Sequence, residues 1–569
     1  MPLAEQSSSK HGAQEPLSCS WRSSRHVDFR CPEAGDEEDG LCILHSRAPS
    51  KDSERFYSRF NEKIAGGIRD FRGVYFPSPI SLSGIWENAV FAEATFQAHL
   101  KCESVIFQGK CDFDFAKFQS ADFLVAQFQD LATFSYSEFF GKVELTGVTF
   151  GGVVYFNQAR ASERVSFGGS RFKGFAIFDG TIFGKSAGFD HARFEKGVSF
   201  DHTMFLQNAS FDRAECSGDC SFRRTIFSNP ESDQSQTKFE QLRMYIFTFR
   251  ETRFSGEVIF ERIWLRGSLD FETVRFDSNF FFRGGVYEAP IMRLESGSPE
   301  PSYQVSKTLN ESRDLRVSPR ILFERVFLGD SARINFEDAD LSRTTFAGTN
   351  VKEIRFRDVT WARMLWNKRV TVPRDFRDAS EGFWWWIWQR FKFYLSTNTV
   401  ADQFTNSDLE QARRVCRDLK ASLDDQKDFS AAADFYYAEM QLKRRQLQGI
   451  RRKPYFLYWL TCGYGERPFR ALIVLGCLWI LLTAAFMRTS FMANQRVHIR
   501  ASEYANSKSF SPILEEGLNY AARSLVLQQR SSYLSPFDES AVRFTFVANL
   551  LGPIQLGLLL LAVKRRFRR

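Results

Sequence analysis

Four residues near the start of the chain have the types and spacing of a metal centre. Cys42 and His45 are separated by two residues, with Cys19 and Cys31 upstream. A thiolate and an imidazole three positions apart can be offered from one short turn, and two further thiolates complete a tetrahedral set suited to zinc. With every position filled by protein the ion would be structural, tying the polar N-terminal segment to the body of the chain. His26 is an alternative ligand to Cys19, and free cysteines in a loop are the plain alternative to the whole site.

Other chemical groupings fall away on spacing. Gly180-Thr181-Ile182-Phe183-Gly184-Lys185-Ser186 has the look of a phosphate-binding loop but is one residue short. Asp179, Asp190, Asp201 and Asp212 recur every eleven residues, and a coil of twenty-two stacks them in pairs at corners that are better read as solvated than as cation sites. His191 and His202, eleven apart, fall on opposite sides. No nucleophile, base and orienting group assemble, so the chain does not read as an enzyme.

The element that must carry these residues is a ladder of phenylalanines in alternating steps of five and six. Phe167, Phe172, Phe178, Phe183, Phe189, Phe194, Phe200, Phe205 and Phe211 are successive rungs, with Cys216, Phe222 and Phe227 continuing and Phe249 to Phe282 resuming in phase. Neither a helix nor a simple strand has this period. Small or β-branched residues such as Ala176, Thr181, Ala187 and Thr203 sit two positions before the rungs. Burying one residue in about five implies a solenoid whose every short face sends one large side chain inward. The sixth residue of alternate steps reads as a bulge or a wider corner.

From Phe336 the step tightens to fives through Leu341, Phe346, Val351, Phe356 and Trp361, and Ala339-Asp340-Leu341-Ser342-Arg343 matches the repeat unit of the pentapeptide-repeat family. Residues 66–362 are identified by that resemblance as a phenylalanine-rich member, interrupted by polar insertions at 228–246 and 288–320. The resemblance implies a right-handed quadrilateral parallel β-helix, about ten coils and 50 Å long at one strand spacing per coil. Some relatives mimic DNA with a strongly acidic rod; this rod is close to neutral, so nucleic-acid mimicry is not implied and nucleic acid is not expected as a partner.

The remainder divides into a polar segment over 1–65, an aromatic capping or interfacial segment over 363–398, a helical pair over 399–453 broken near Asp424 to Asp428, and an apolar hairpin over 454–569. Within the last, 471–487 and 544–563 are long enough to span a bilayer. Arg451, Arg452 and Lys453 precede the first, and Lys564, Arg565 and Arg566 follow the second, which places both termini in the cytoplasm. The protein thus reads as a two-pass integral membrane protein. Trp384, Trp385, Trp386 and Trp388, beside basic residues, suit the headgroup region or a plug for the solenoid end.

Asp434-Phe435-Tyr436-Tyr437-Ala438-Glu439-Met440 and Gly463-Tyr464-Gly465-Glu466-Arg467-Pro468 resemble the membrane-linked subgroup of the same family, some members of which end in a module similar to a potassium-channel pore. Gly463-Tyr464-Gly465 precedes the first span, so it cannot be a filter. The loop 488–543 holds a pore-helix-like stretch, Pro512 to Leu527, followed by Gln528-Gln529-Arg530 without a glycine. Arg523 and Arg530 could line an anion pathway; otherwise the stretch is a helix lying on the membrane. The resulting expectation is a membrane-anchored scaffold, with membrane lipid, an unidentified protein on the β-helix surface, and further copies of the chain as partners. The alternative is an oligomeric pore formed by the hairpin.

Overall fold

A side chain buried once in every five or six residues requires the backbone to turn as often, and the computed structural model shows how this chain does so. It describes residues 18–24, 29–35, 37–49, 51–227, 245–265, 267–284, 320–341, 344–361, 406–486, 490–493, 497–500, 510–526, 534–536 and 539–566. These fall into two compact units that divide near residue 361.

The first unit is a parallel β-solenoid. One coil consists of four two-residue strands, Arg171–Phe172, Ala176–Ile177, Ile182–Phe183 and Ala187–Gly188. The next begins with Phe194 directly over Phe172. Stacking produces two ten-stranded sheets and one of eighteen strands in which two faces join. The register shift is 22 residues here, 21 from Cys111 to Ala132, and 20 from Tyr75 to Thr95 and from Ile334 to Ile354.

Corners of two kinds explain the alternating step. In the five-residue step Thr181 N–H donates to Phe178 O at 3.0 Å and Gly180 sits at φ +67°, as the third position of a type II turn requires. Phe115, Val125, Tyr136, Gln158, His191, His202 and Arg213 occupy the same left-handed position, at φ between 55° and 59°. In the six-residue step the extra residue makes a wider bend, Lys173–Gly174–Phe175. A Cβ on Gly174 would lie 2.2 Å from Gly152 O one coil earlier, so only glycine allows the backbones to stack there.

The interior is filled by columns of parallel rings. Phe134, Phe156, Phe178, Phe200 and Phe222 follow one another at 4.8, 5.1, 5.0 and 5.1 Å between centroids. Rings of the adjacent column meet them edge to face, Phe178 and Phe189 at 83°. The small residues have a second role. Thr181, Thr203 and Thr225 are buried, and their hydroxyls donate to the carbonyls of Phe156, Phe178 and Phe200 in the preceding coil at 2.6 to 2.8 Å.

Neither insertion disturbs the stack. Phe211 pairs by ring stacking with Phe249 at 4.8 Å, and Phe271 with Phe323 at 4.8 Å. Residues 228–244 and 285–319 lie outside the described set. At the N-terminal end the segment expected to be merely polar contains a helix, α1 (Ser53–Ala65), capped by Asp52 accepting from Glu54 and Arg55 N–H. Phe56 and Phe60 are buried against Phe76 and Phe71, covering the open end of the first coil.

The second unit is helical: α2 (Asn406–Asp425), α3 (Phe429–Gln446), α4 (Arg452–Cys462), α5 (Pro468–Phe486), α6 (Phe510–Leu525) and α7 (Glu539–Arg566). The break expected near 424–428 is present, with Asp428 capping α3. Helices α5 and α7 are long and apolar enough to cross a membrane.

Chemical unfolding of the solenoid should separate three effects. Gly174→Ala should cost about 1–3 kcal/mol through forced backbone displacement, and Thr203→Val about 1–2 kcal/mol through the lost hydroxyl bond. Val125→Gly should stabilise by up to about 1 kcal/mol, because a β-branched residue at φ +57° is strained. A destabilising Val125→Gly would refute the corner assignment.

Candidate metal centre and the helical hairpin

The structure brings Cys19, Cys31, Cys42 and His45 together. All four are buried, and their donor atoms lie within 4.8 Å of one another. Cys31 Sγ is 3.8 Å from Cys42 Sγ, and His45 Nδ1 is 3.1 Å from Cys42 Sγ and 3.7 Å from Cys19 Sγ. Donors on a tetrahedral zinc stand about 3.6–3.8 Å apart, given the usual bond lengths, so the cluster has the dimensions to hold such an ion. His26 lies outside the described residues.

Surrounding groups orient the ligands as metal sites require. His45 Nε2 is 3.0 Å from Arg72 O, which holds the proton on that nitrogen and leaves Nδ1 facing the sulfurs. Trp21 stacks on the imidazole at 4.6 Å and 7°, and a Cβ on Gly73 would strike the Trp21 ring at 2.0 Å. Cys42 N–H donates to Cys19 Sγ at 3.3 Å. Lys51, which the sequence did not single out, pins the segment to the first coil: its ammonium donates to Leu44 O, Ser46 O and Tyr75 O at 3.2, 3.1 and 2.7 Å.

Without a cation the thiols share protons unequally. The bond to Cys31 and then burial push Cys42 up to about 12. That same bond, from the other side, is the largest cause holding Cys31 below the usual thiol range, while burial raises Cys19. A dication at the centre would favour the thiolate at every position, so binding releases protons and strengthens as pH rises.

The excluded groupings are accounted for. Backbone N–H groups of Gly180, Ile182 and Gly184 donate to Asp201 O, Ala159 O and Ala161 O, leaving no cradle for a phosphate. The aspartates are ladder acceptors more than solvated corners. Asp179 Oδ1 accepts from Ser199 Oγ at 2.5 Å and Asp201 N–H at 3.2 Å, and Asp201 Oδ1 accepts from Ser221 Oγ at 2.5 Å.

In the second unit the two helical motifs meet. Arg467 bonds Asp434 at 3.2 Å, and Tyr464 is buried against Tyr437 and Tyr458. Gly463, Tyr464 and Gly465 run at φ 57°, 60° and 80°, capping α4 and turning the chain into α5. Arg565 reaches this turn, 3.6 Å from Glu466 and 3.4 Å from Tyr464 O. Arg451, Arg452, Lys453 and Lys564 are exposed. The Arg566 side chain, Trp384, Trp385, Trp386, Trp388 and Arg530 lie outside what is described.

Helix α6 is held between α5 and α7. Trp479 Nε1 donates to Leu518 O at 2.9 Å, Tyr520 OH lies 3.2 Å from Thr545 Oγ1, and Phe486 meets the Tyr520 ring at 5.0 Å. Its last residue abuts α7, since a Cβ on Gly552 would lie 2.4 Å from Leu525 O. Arg523 is exposed. Gln555, buried within α7, donates to Thr461 O and Ala471 O at 3.1 and 2.9 Å; an amide in an otherwise apolar run, as at Asn549, was its only signal in the sequence.

Residues 134–182 and 178–226 match the family model described as Pentapeptide repeats (9 copies), over the most regular part of the solenoid. With that match, the coils over residues 134–226 are pentapeptide repeats. Comparison with curated proteins found no match.

Elemental analysis of the purified chain is expected to find about one metal ion per chain. Cys42→Ser or His45→Ala should abolish it and lower the melting temperature, whereas Cys477→Ser, at an exposed thiol, should change neither. A metal-free wild-type protein would leave the four as ordinary buried side chains.

Proposed function

We propose that this protein is a membrane-anchored interaction scaffold. The observation that carries the reading is the exposure of α5 and α7: only 22% of each apolar span is buried, where a core helix of a soluble domain would be mostly covered. Outward residues such as Ile473, Ile480, Leu481, Phe546, Leu550 and Leu560 suit lipid. Basic flanks at Arg451, Arg452, Lys453, Lys564, Arg565 and Arg566 support a cytoplasmic location for both ends and contact with anionic headgroups.

The solenoid then offers a rigid, closed surface to a protein partner. Its interior is filled with rings and its outer faces and corners present mixed charges, such as the Arg171–Glu195, Arg213–Glu251 and Arg253–Asp277 pairs. Such a rod suits binding rather than catalysis. The Cys19, Cys31, Cys42 and His45 cluster is assigned to a structural zinc that stiffens the cap over the first coil. A second reading, an oligomeric pore, is favoured by one observation, the depth to which α6 reaches along α7.

In cells the full chain should remain with membranes after alkaline carbonate washing, and tags at both ends should be cleaved by protease only when the cytoplasmic face is open. Release by carbonate would remove the anchor from this account.

A further inference from the structure

Leu525, at the end of α6, touches Gly552, the fourteenth residue of the twenty-eight in α7. The apolar stretch 544–563 is centred beside Gly552. Resting on the membrane reading above, α6 therefore enters from one side and stops at about the midplane. Its sixteen residues, about 24 Å, are enough to reach there from the headgroups.

One face of α6 is taken by α5 and α7, through Tyr520, Ala521 and Leu525. The other carries a polar stripe at helical spacing, Glu515, Asn519 and Arg523, all exposed. Arg523 lies half a turn before the midplane residue. A guanidinium does not lose its proton and is not tolerated against hydrocarbon without water or a partner. Helix α5 and residues 540–563 of α7 contain no carboxylate, and Glu515 stands about 12 Å nearer the headgroups, where water screens it. Nothing on the described helices offers Arg523 a counter-charge at its own depth.

We propose that copies of this chain assemble with the Glu515–Asn519–Arg523 stripes facing one another, and that the Arg523 side chains line a water-filled passage for small inorganic anions. A second copy covers the stripe, which lipid cannot. The passing anion supplies the missing charge at the narrow, deep position, and the carbonyl end of α6 favours the arginine there.

The test uses the full-length protein in liposomes loaded with chloride, with valinomycin and potassium carrying the compensating charge. Flotation is measured first: protein that does not float refutes the membrane reading itself. For floating protein we expect chloride efflux, reduced at least tenfold by Arg523→Gln, largely retained by Arg523→Lys, and turned toward cations by Arg523→Glu. In a Cys477→Ser background, Asn519→Cys should form inter-chain disulfides under oxidant. Absence of efflux from floating wild-type protein, or efflux unchanged in Arg523→Gln, overturns the passage. Asn519→Cys that never cross-links overturns the assembly around α6.

Discussion

Everything in the solenoid depends on the backbone of each coil finding its hydrogen-bond partners in the next. Four short strands and four corners per coil leave almost no partner within a coil, so a coil is stable only when stacked. The phenylalanine columns supply the apolar burial and fix the spacing; rings at 4.8–5.1 Å match the distance between hydrogen-bonded strands. The threonine hydroxyls and aspartate carboxylates then consume corner groups that neither ring nor strand could satisfy. Periodicity in the sequence is the direct consequence of this coil-to-coil dependence.

A stack has two ends that lack a neighbour, and the N-terminal one is closed by a helix and a side-chain cluster instead of another coil. Helix α1 supplies phenylalanines in place of rungs, and Lys51 bonds three carbonyls that span the join. Cys19, Cys31, Cys42 and His45 gather segments with too few apolar residues to pack by themselves. A metal there would perform for the cap what ring stacking performs for the coils.

The helical unit is governed by a different constraint, that polar groups among apolar helices must meet partners. Gln555, Trp479 and the Tyr520–Thr545 pair each bond across helices. Arg523, on the exposed stripe of α6 with Glu515 and Asn519, faces away from such partners into the open. In the proposed arrangement this exposed charge is the reason for assembly, and the rod and hairpin act together: one presents a surface, the other holds it at the bilayer.

The fold was legible because its signal repeats. Each rung is weak evidence, but Phe167 to Phe282 repeat one spacing often enough to admit a single architecture, and the wider corner on alternate faces was implied by the extra residue. The metal cluster was legible in its ligand types, while the gaps from Cys19 to Cys31 and Cys42 left their meeting undecided, since sequence distance across an irregular loop does not determine spatial distance. Helix α1 was missed because it buries only Phe56 and Phe60, which have meaning only against Phe71 and Phe76. Sequence alone determined the solenoid, its interruptions and the apolar helices, because these depend on local period and length. Only the tertiary structure decided which groups share a point in space: the four metal-type donors, Asp434 with Arg467, and the end of α6 against Gly552. Those meetings depend on packing between segments distant in the chain, and no spacing rule encodes them.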